Sequence, residues 1–585
     1  MATPETDQRA EPSLILAAGA LLVCTGLFTW ASGRGFDLTD EANSLLLIAR
    51  PADFPVVTDF AAWLRPLYDL FGGSIAALRL AGLVILTGSA LVFGRALARF
   101  KGLSMGRAAL AIMLTIALAA LWRYARWLPT PNYNLLNLAG LMLVFAGLLD
   151  GGGEAQGWRG RLISAALTAF GVVLTATNKP TTTLAAALVA GVWLLTVRRP
   201  RLGYLALVTG LSALFWLAAA TAFGGDPLHY VEDKLAALND LRALSGGDLH
   251  GLGASAAGGL AQGGKGKLLE IAPYAAGLGL AALAWAAAAS DGRRVWTAWA
   301  AGSVAVLIAV LAGVWRWIDM ADPAASRGPY VWYVVFPACL AALAAVVIWR
   351  RKASVDRPAR KRLAAAALLA CGALAYSFGT NVPLILHTFG AAPFWAAAMV
   401  VVASLSPAPE VTLRQTLALV AAVTLGMAAS LALAPDREGL GLAEQTIPLT
   451  LGPDGGRLAV DETMAAYLGP TMAAARAAGF TAGTPVLDLS AAGPGLTFAL
   501  GGRPVGAAWI EGADHGLARV AQGALRRAPD AQLRAAWIIT RPDASFTEAA
   551  AVLHQRGLDF PATYRQVAQT PPRQGKPGQT LWRPN

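Results

Sequence analysis

Charge is scarce in this 585-residue chain: 14% of residues are Asp, Glu, Lys or Arg and 56% are hydrophobic, where an ordinary soluble domain carries about 25% charge. That balance excludes a conventional water-soluble globule, whose surface needs more polar groups than this sequence holds. Cysteine is scarcer still, with three residues, Cys24, Cys339 and Cys371, all inside apolar runs. Their placement excludes a disulfide framework and any cysteine-based metal spacing. Also missing, in a supporting context, are a Walker A loop, a glycine fingerprint between strand and helix, a His-Glu-x-x-His pair and a nucleophile elbow. Nucleotide hydrolysis on this chain is therefore not expected.

What the sequence has in abundance is long apolar runs. They occupy 13–31, 75–97, 108–122, 135–149, 162–177, 181–197, 203–223, 271–289, 295–314, 330–349, 363–378, 384–405 and 413–434. Each is about long enough to cross a ~30 Å hydrocarbon layer as a helix. They are continuous rather than alternating, so they read as helices and not as barrel strands. The expectation is a mainly α, polytopic bundle of about thirteen transmembrane helices over 1–434. The polar N-terminus lacks a basic region and a small-residue cleavage site, so 13–31 reads as a retained first helix.

The formal charge is +12, and its distribution matters more than its sum. With a cytoplasmic N-terminus, the clusters Arg99, Lys101, Arg107; Arg198, Arg199, Arg201; Arg293, Arg294; and the basic stretch 349–362 all fall on one side. This is the asymmetry of a cytoplasmic face. Loops 32–74 and 224–270, which carry Asp37, Asp40, Glu41, Asp226, Glu232 and Asp233, fall outside. The basic excess thus implies membrane lipids and no nucleic acid as partners. From 435 to 585 charge returns, and short apolar stretches alternate with helical patterns, which predicts a soluble α/β domain on the periplasmic or extracellular side. The setting expected is a bacterial cytoplasmic (inner) membrane.

The chemistry is expected at that outer boundary. Asp37, Asp40 and Glu41 stand just before a helical pattern. Thr39 or Asp40 would serve there as a helix cap; alternatively, a partly shielded carboxylate would serve as a base. The same three residues form an oxygen-ligand set for a divalent cation, if one is used. Basic groups near the outer face, Arg65, Arg79, Arg123, Arg126, Lys179, Arg316 and Arg327, either snorkel to head groups or hold a phosphate. Lys179, in the hinge Asn-Lys-Pro between two apolar runs, has no other charge nearby in sequence. The turn 129–137 offers Asn132, Tyr133 and Asn134 to sugar hydroxyls, and 376–395 adds Asn381 and His387. The ordinary readings are a Pro/Asn turn and a broken helix end. Loop 224–270, glycine-rich with His229 and His250, is either a lid or flexible filler. In the last domain Asp488, Asp514 and His515 are the polar candidates.

The Asp40-Glu41 pair shortly after the first span, the Arg-Pro-Leu-Tyr element at 65–68 and Arg79 early in the second span resemble the membrane-embedded GT-C glycosyltransferases. The nearer likenesses are the protein O-mannosyltransferases and the lipid A aminoarabinose transferases. The resemblance covers the first hundred residues best, and more loosely the plan of many spans followed by an extracytoplasmic domain. It implies a sugar on a polyprenyl phosphate as donor and a hydroxyl of a cell-envelope glycan, lipid or protein as acceptor. It also implies that Asp40, with Glu41 beside it, is the catalytic base, and that transfer inverts the anomeric carbon. Lys179, Arg65, Arg79 and Arg327 are then the expected phosphate ligands, and Asn132, Tyr133, Asn134 and His387 the sugar or acceptor ligands. Two rivals come from other classes: a transporter or flippase of a lipid-linked or small polar substrate, and an inert scaffold.

Overall fold

In a computed structural model of the protein the described residues are 11–51, 53, 56–151, 157–197, 202–244, 336–337, 339–340, 343–344, 357–379, 387–406, 408–433, 435, 440–510, 517–573 and 578–585. The expected spans at 271–289, 295–314 and most of 330–349 lie outside them. So do Arg316, Arg327, Asn381, His250, Asp514 and His515.

The helices are α1 (Glu11–Ala31), α2 (Asp40–Ala49), α3 (Phe60–Leu70), α4 (Ile75–Phe100), α5 (Arg107–Ala120), α6 (Tyr133–Asp150), α7 (Trp158–Asn178), α8 (Pro180–Thr196), α9 (Leu202–Gly224), α10 (Pro227–Leu244), α11 (Arg357–Ser377), α12 (Ala392–Ala403) and α13 (Pro409–Leu433). Short 3-10 turns, Leu121–Tyr124 and Thr388–Ala391, continue α5 and precede α12. Among the described residues seven helices are long and apolar enough to cross a membrane: α1, α4, α5 with its 3-10 extension, α6, α7, α9 and α13. Two shorter apolar helices, α8 and the one formed by 388–403, lie among them. Large apolar side chains such as Ile15, Leu22, Val84, Leu188, Leu195 and Leu214 are exposed on the outside of these helices. Water would penalise such a belt, whereas lipid matches it.

Lipid offers no hydrophobic drive between helices, so close packing must hold the bundle. The α6–α7 contact shows how: a Cβ at Gly147 would lie 2.0 Å from Thr168 Oγ1, and one at Gly171 2.5 Å from the Gly140 carbonyl oxygen. At one end of the bundle Arg99 pairs with Asp150 at 2.9 Å, joining α4 to α6. The C-terminal domain sits at the other end.

That domain opens with the antiparallel hairpin β1 (Ile447–Leu451) and β2 (Gly456–Val460), followed by α14 (Glu462–Ala477). Five strands then form one sheet: β3 (Pro485–Asp488), β4 (Arg503–Pro504), β5 (Trp537–Thr540), β6 (Tyr564–Gln569) and β7 (Thr580–Pro584). Their order is β4-β3-β5-β7-β6. β3 runs parallel to β4 and β5, and β7 runs antiparallel to β5 and β6. Helices α15 (Gly495–Leu500), α16 (Leu517–Ala524), α17 (Asp530–Ala535) and α18 (Ala544–Gln555) make the connections. A separate core of Leu487, Leu489, Ile538, Val552, Leu553 and Phe560 holds one face of the sheet.

The domain is clasped to the loop after α1. Gly35 N donates to the Ala459 carbonyl at 2.9 Å, and Ala459 N donates to that of Gly33 at 2.8 Å, so β2 borrows 33–35 as a neighbouring strand. The Phe36 ring packs on Phe498 with centroids 5.8 Å apart. Arg503 grips Asp53 with two bonds of 2.9 Å each.

Candidate functional site

Many of the polar groups buried among the described residues of the bundle lie around the ends of α1, α2, α4 and α6 and the α7–α8 hinge. Asp37 organises its first turn. Oδ1 accepts from Thr39 N (3.0 Å) and Thr39 Oγ1 (2.7 Å), and Oδ2 accepts from Glu41 N (3.1 Å). The cap of α2 is thus Asp37, and neither Thr39 nor Asp40 caps with its side chain as the sequence led us to expect. The reason is reach: with α2 starting at Asp40, the carboxylate three residues earlier folds back over the open N–H groups.

Glu41 turns inward. Its carboxylate accepts from Arg79 Nε (3.0 Å) and Nη2 (2.9 Å), from Asp37 N (3.2 Å), and from the Thr130 hydroxyl. Arg79 completes its set on the carbonyls of Ser32, Arg34 and Gly35, each at 2.8 Å. All five N–H protons of this guanidinium are used, and both side chains are buried. Glu41 and Arg79 therefore fix the end of α1 to α4, and the sequence-expected roles of base partner and phosphate ligand meet groups already occupied. Asp40 stands at the first position of α2, half-buried.

Arg65 is also engaged. It bonds Asp69 at 2.8 and 2.7 Å and donates to the Ala49 carbonyl, which ties amphipathic α3 to the end of α2. α3 is further held by Asp59, whose N–H donates to the Thr177 carbonyl at 2.9 Å. The Asp59 carboxylate accepts from Tyr230 Oη (2.6 Å) and from Lys234 on α10. Burial pushes the Asp59 carboxyl above its ordinary range, and Lys234 and Tyr230 pull it back. The stretch 224–270 reads in sequence as a glycine-rich loop, but within its described part, 224–244, helix α10 takes up Pro227–Leu244. His229 with Glu232 and Asp233 at i+3 and i+4 shows the helical spacing behind the charges.

Arg123 and Lys179 are two further cations buried in the bundle. Arg123, on the 3-10 turn after α5, donates Nη2 to Asn132 Oδ1 at 3.0 Å, and its buried Nε has no acceptor. Asn132 Oδ1 also caps α6 through Asn134 N (3.1 Å) and Leu135 N (3.3 Å), which is its ordinary turn role. The Tyr133 hydroxyl lies within electrostatic reach of both Asp40 and Arg123, and so joins the acidic and basic sides. Lys179 fills the break between α7 and α8. It is 5% exposed, donates to the Tyr376 carbonyl at 2.8 Å and lies 5.5 Å from that residue's ring. His387 stacks on Tyr376 with centroids 5.1 Å apart and planes 8° apart. The fields of Lys179, Arg123 and Arg126 all reach it. Neither Lys179 nor Arg123 has a carboxylate partner among the described residues.

Several acceptors here are buried without donors: Oδ1 of Asn134, Asn137 and Asn178, and Nδ1 of His387. Each would cost about 1–3 kcal/mol if left so. Among the described residues no group of three or more His, Cys, Asp or Glu side chains is placed to hold a metal ion. Sequence reasoning overlooked Tyr376, Asn137 and Asn178. They lie inside or at the ends of apolar runs, and only the rarity of polar side chains at such depth would have marked them.

Comparison with protein-family models, with curated proteins and with solved structures finds no match to this chain.

Proposed function

We propose that the chain is a membrane-embedded glycosyltransferase of the GT-C type, moving a sugar from a polyprenyl phosphate to a hydroxyl of a cell-envelope glycan, lipid or protein. The observation that carries this reading is a half-buried Asp40 and a buried Arg123 whose charges both reach Tyr133, with buried Lys179 beside His387, which Arg123 also reaches; among the described residues neither cation has a carboxylate partner. The sidedness belongs to the proposal: Arg99, Lys101, Arg107 and Arg362 on the far connections support setting this end of the bundle at the periplasmic boundary.

The chemistry follows from those groups. An acceptor hydroxyl cannot attack while it keeps its proton, so Asp40 takes the proton as the new C–O bond forms at the anomeric carbon. The bond to the phosphate oxygen breaks on the opposite face, giving inversion. The electron pair leaves on the lipid phosphate, where Lys179, with two of its three N–H groups beyond the Tyr376 bond, and Arg123 Nε offset the charge. Energy arrives stored in the sugar phosphate, which accords with the missing nucleotide motifs. Asn134 and His387 supply hydrogen bonds to sugar hydroxyls. Arg79 and Glu41 act at one remove, by holding the turn that presents Asp40.

A polyprenyl-phosphate-sugar transfer assay on the chain in nanodiscs tests this. Asp40→Asn should lower turnover by about 10²–10⁴-fold, the usual worth of a general base, with donor binding retained. Asp40→Asn with full transfer would remove Asp40 from the mechanism. One observation favours the transporter reading as well: the break at Lys179 between α7 and the short α8 is the kind of discontinuous helix that transporters use. Movement of an intact lipid-linked sugar across vesicles, without transfer, would select that reading.

A further inference from the structure

The C-terminal sheet changes its direction of growth at β3. The chain passes from β3 through α15 to β4 on one side, then through α16 and α17 to β5 on the other. In parallel sheets such a reversal leaves a crevice outside the carboxyl ends of the two strands that flank it, and ligands bind there. Here those ends are Asp488 and Thr540.

A directed chain of hydrogen bonds runs into this crevice. Tyr467 Oη donates to Gln579 Oε1 (2.6 Å), Gln579 Nε2 donates to Ser490 Oγ (2.7 Å), and Ser490 Oγ donates to Asp488 Oδ1 (2.5 Å). Ser490 N adds a bond of 2.9 Å to the same oxygen. Every donor of the chain falls on Oδ1, so Asp488 Oδ2 stays buried with no protein donor. Beside it the hydroxyl of Thr497, a residue 1% exposed, lies close enough to ease the charge of Asp488 but makes no hydrogen bond of good geometry. Two cations lie nearby. Arg541 follows β5 and pairs with Asp543 at 2.9 Å, but its buried Nε has no acceptor. Nε and Nη2 of Arg573 are in the same condition. The charges of Asp488, Arg541 and Arg573 all reach Tyr467, yet the carboxylate closes no ion pair with either arginine.

We propose that this crevice binds an anionic saccharide. The arginine N–H groups take its carboxylate or phosphate, while Asp488 Oδ2 and the Thr497 hydroxyl hold sugar hydroxyls. Aspartate and arginine together suit a guest that carries both hydroxyls and a negative group, where an inorganic anion alone would leave Asp488 opposed. The crevice also connects to the bundle: its loop rests on the start of α2, where a Cβ at Gly493 would lie 2.7 Å from the Leu38 carbonyl oxygen and one at Gly495 2.5 Å from Leu38 Cδ2. A saccharide held here is therefore the acceptor's anionic residue, on a loop that touches Leu38 two positions before Asp40; that role, though not the binding, rests on the transferase reading.

Saturation-transfer NMR on the full chain in nanodiscs tests the site with glucuronate, glucose 6-phosphate, glucose and inorganic phosphate. The anionic sugars should give signals about tenfold above glucose. Asp488→Asn and Arg573→Gln should each lower those signals by about tenfold, and Arg519→Gln, on an exposed position of α16, should leave them unchanged. Arg573→Gln, at a partly exposed residue, covers the case in which Asp488→Asn does not fold. Equal signals from glucose, inorganic phosphate binding alone, or sugar signals untouched by Arg573→Gln would each overturn the assignment. Glucuronate binding in a chain without transferase activity would keep the crevice and discard the transferase reading, and transfer without glucuronate binding would do the reverse.

Discussion

Replacing Glu41 by Gln separates architecture from chemistry at the candidate site. The carboxylate accepts four donors: Arg79 Nε and Thr130 Oγ1 on Oε1, and Arg79 Nη2 and Asp37 N on Oε2. Glutamine has one oxygen, so in either orientation two donors face an NH₂ group, and one of those two belongs to Arg79. Hydrogen bonds involving charged groups contribute about 1.5–3 kcal/mol each, and a buried partner left charged and uncompensated costs about 3–5 kcal/mol. We therefore expect Glu41→Gln to destabilise the bundle by about 3–5 kcal/mol, read as a shift in the unfolding midpoint in mixed micelles. Arg79→Met should cost a similar amount. The double variant should cost less than the sum, with a coupling of about 1–3 kcal/mol, because neither charge is then stranded. A Glu41→Gln chain that unfolds like the parent but has lost sugar transfer would refute this reasoning and make Glu41 a chemical group.

The Asp488 carboxyl is pushed up to about 6 by burial, so between pH 4 and 6 the unfolded chain gives up its proton while the folded domain keeps it. Stability from this group is complete below the unfolded pKa and lost as pH rises through about 6, on the order of 1–3 kcal/mol in all; domain melting followed from pH 4 to 7.5 should show that loss, and Asp488→Asn should remove it. Arg503→Gln breaks the two-bond grip on a partly exposed Asp53, worth at most about 1 kcal/mol; limited proteolysis should then release the C-terminal domain a few times faster with its own melting unchanged. Gly493→Val places a Cβ against the Leu38 carbonyl at a backbone φ of 116°; transfer activity should fall while the isolated β3–β5 register, read by hydrogen exchange, persists. Lys179→Met should raise the donor KM by about 10–100-fold through loss of a charge-assisted contact, and an unchanged KM would take the phosphate away from the hinge.

The helical elements were legible because each is encoded locally: the apolar runs at 13–31, 75–97 and 413–434 became α1, α4 and α13 with ends shifted by a few residues. The α/β tail was legible for the same reason, from short apolar stretches such as 485–489 and 536–540. Helix α10 was not, since its charged surface hides a helix held by tertiary contacts with Asp59. The division of labour among Asp37, Asp40 and Glu41 was also out of reach, because it is decided by partners far along the chain. Arg79 lies 38 residues from Glu41 and Thr130 lies 89 away. Lys179 stood out from its isolation, but its seat on Tyr376, 197 residues on, did not. Nor did any local signal connect Asp53 with Arg503 across 450 residues.

The central claim is that one chamber holds a lipid phosphate beside Asp40 at the domain-bearing end of the bundle. A cryo-EM map of the chain in nanodiscs with a polyprenyl-phosphate sugar tests it most directly. The account predicts phosphate density within hydrogen-bond reach of Lys179 Nζ and Arg123 Nε, with the sugar between them and the Asp40 carboxylate. Density for the head group at the opposite end of the bundle, near Arg99 and Asp150, would contradict both the topology and the mechanism.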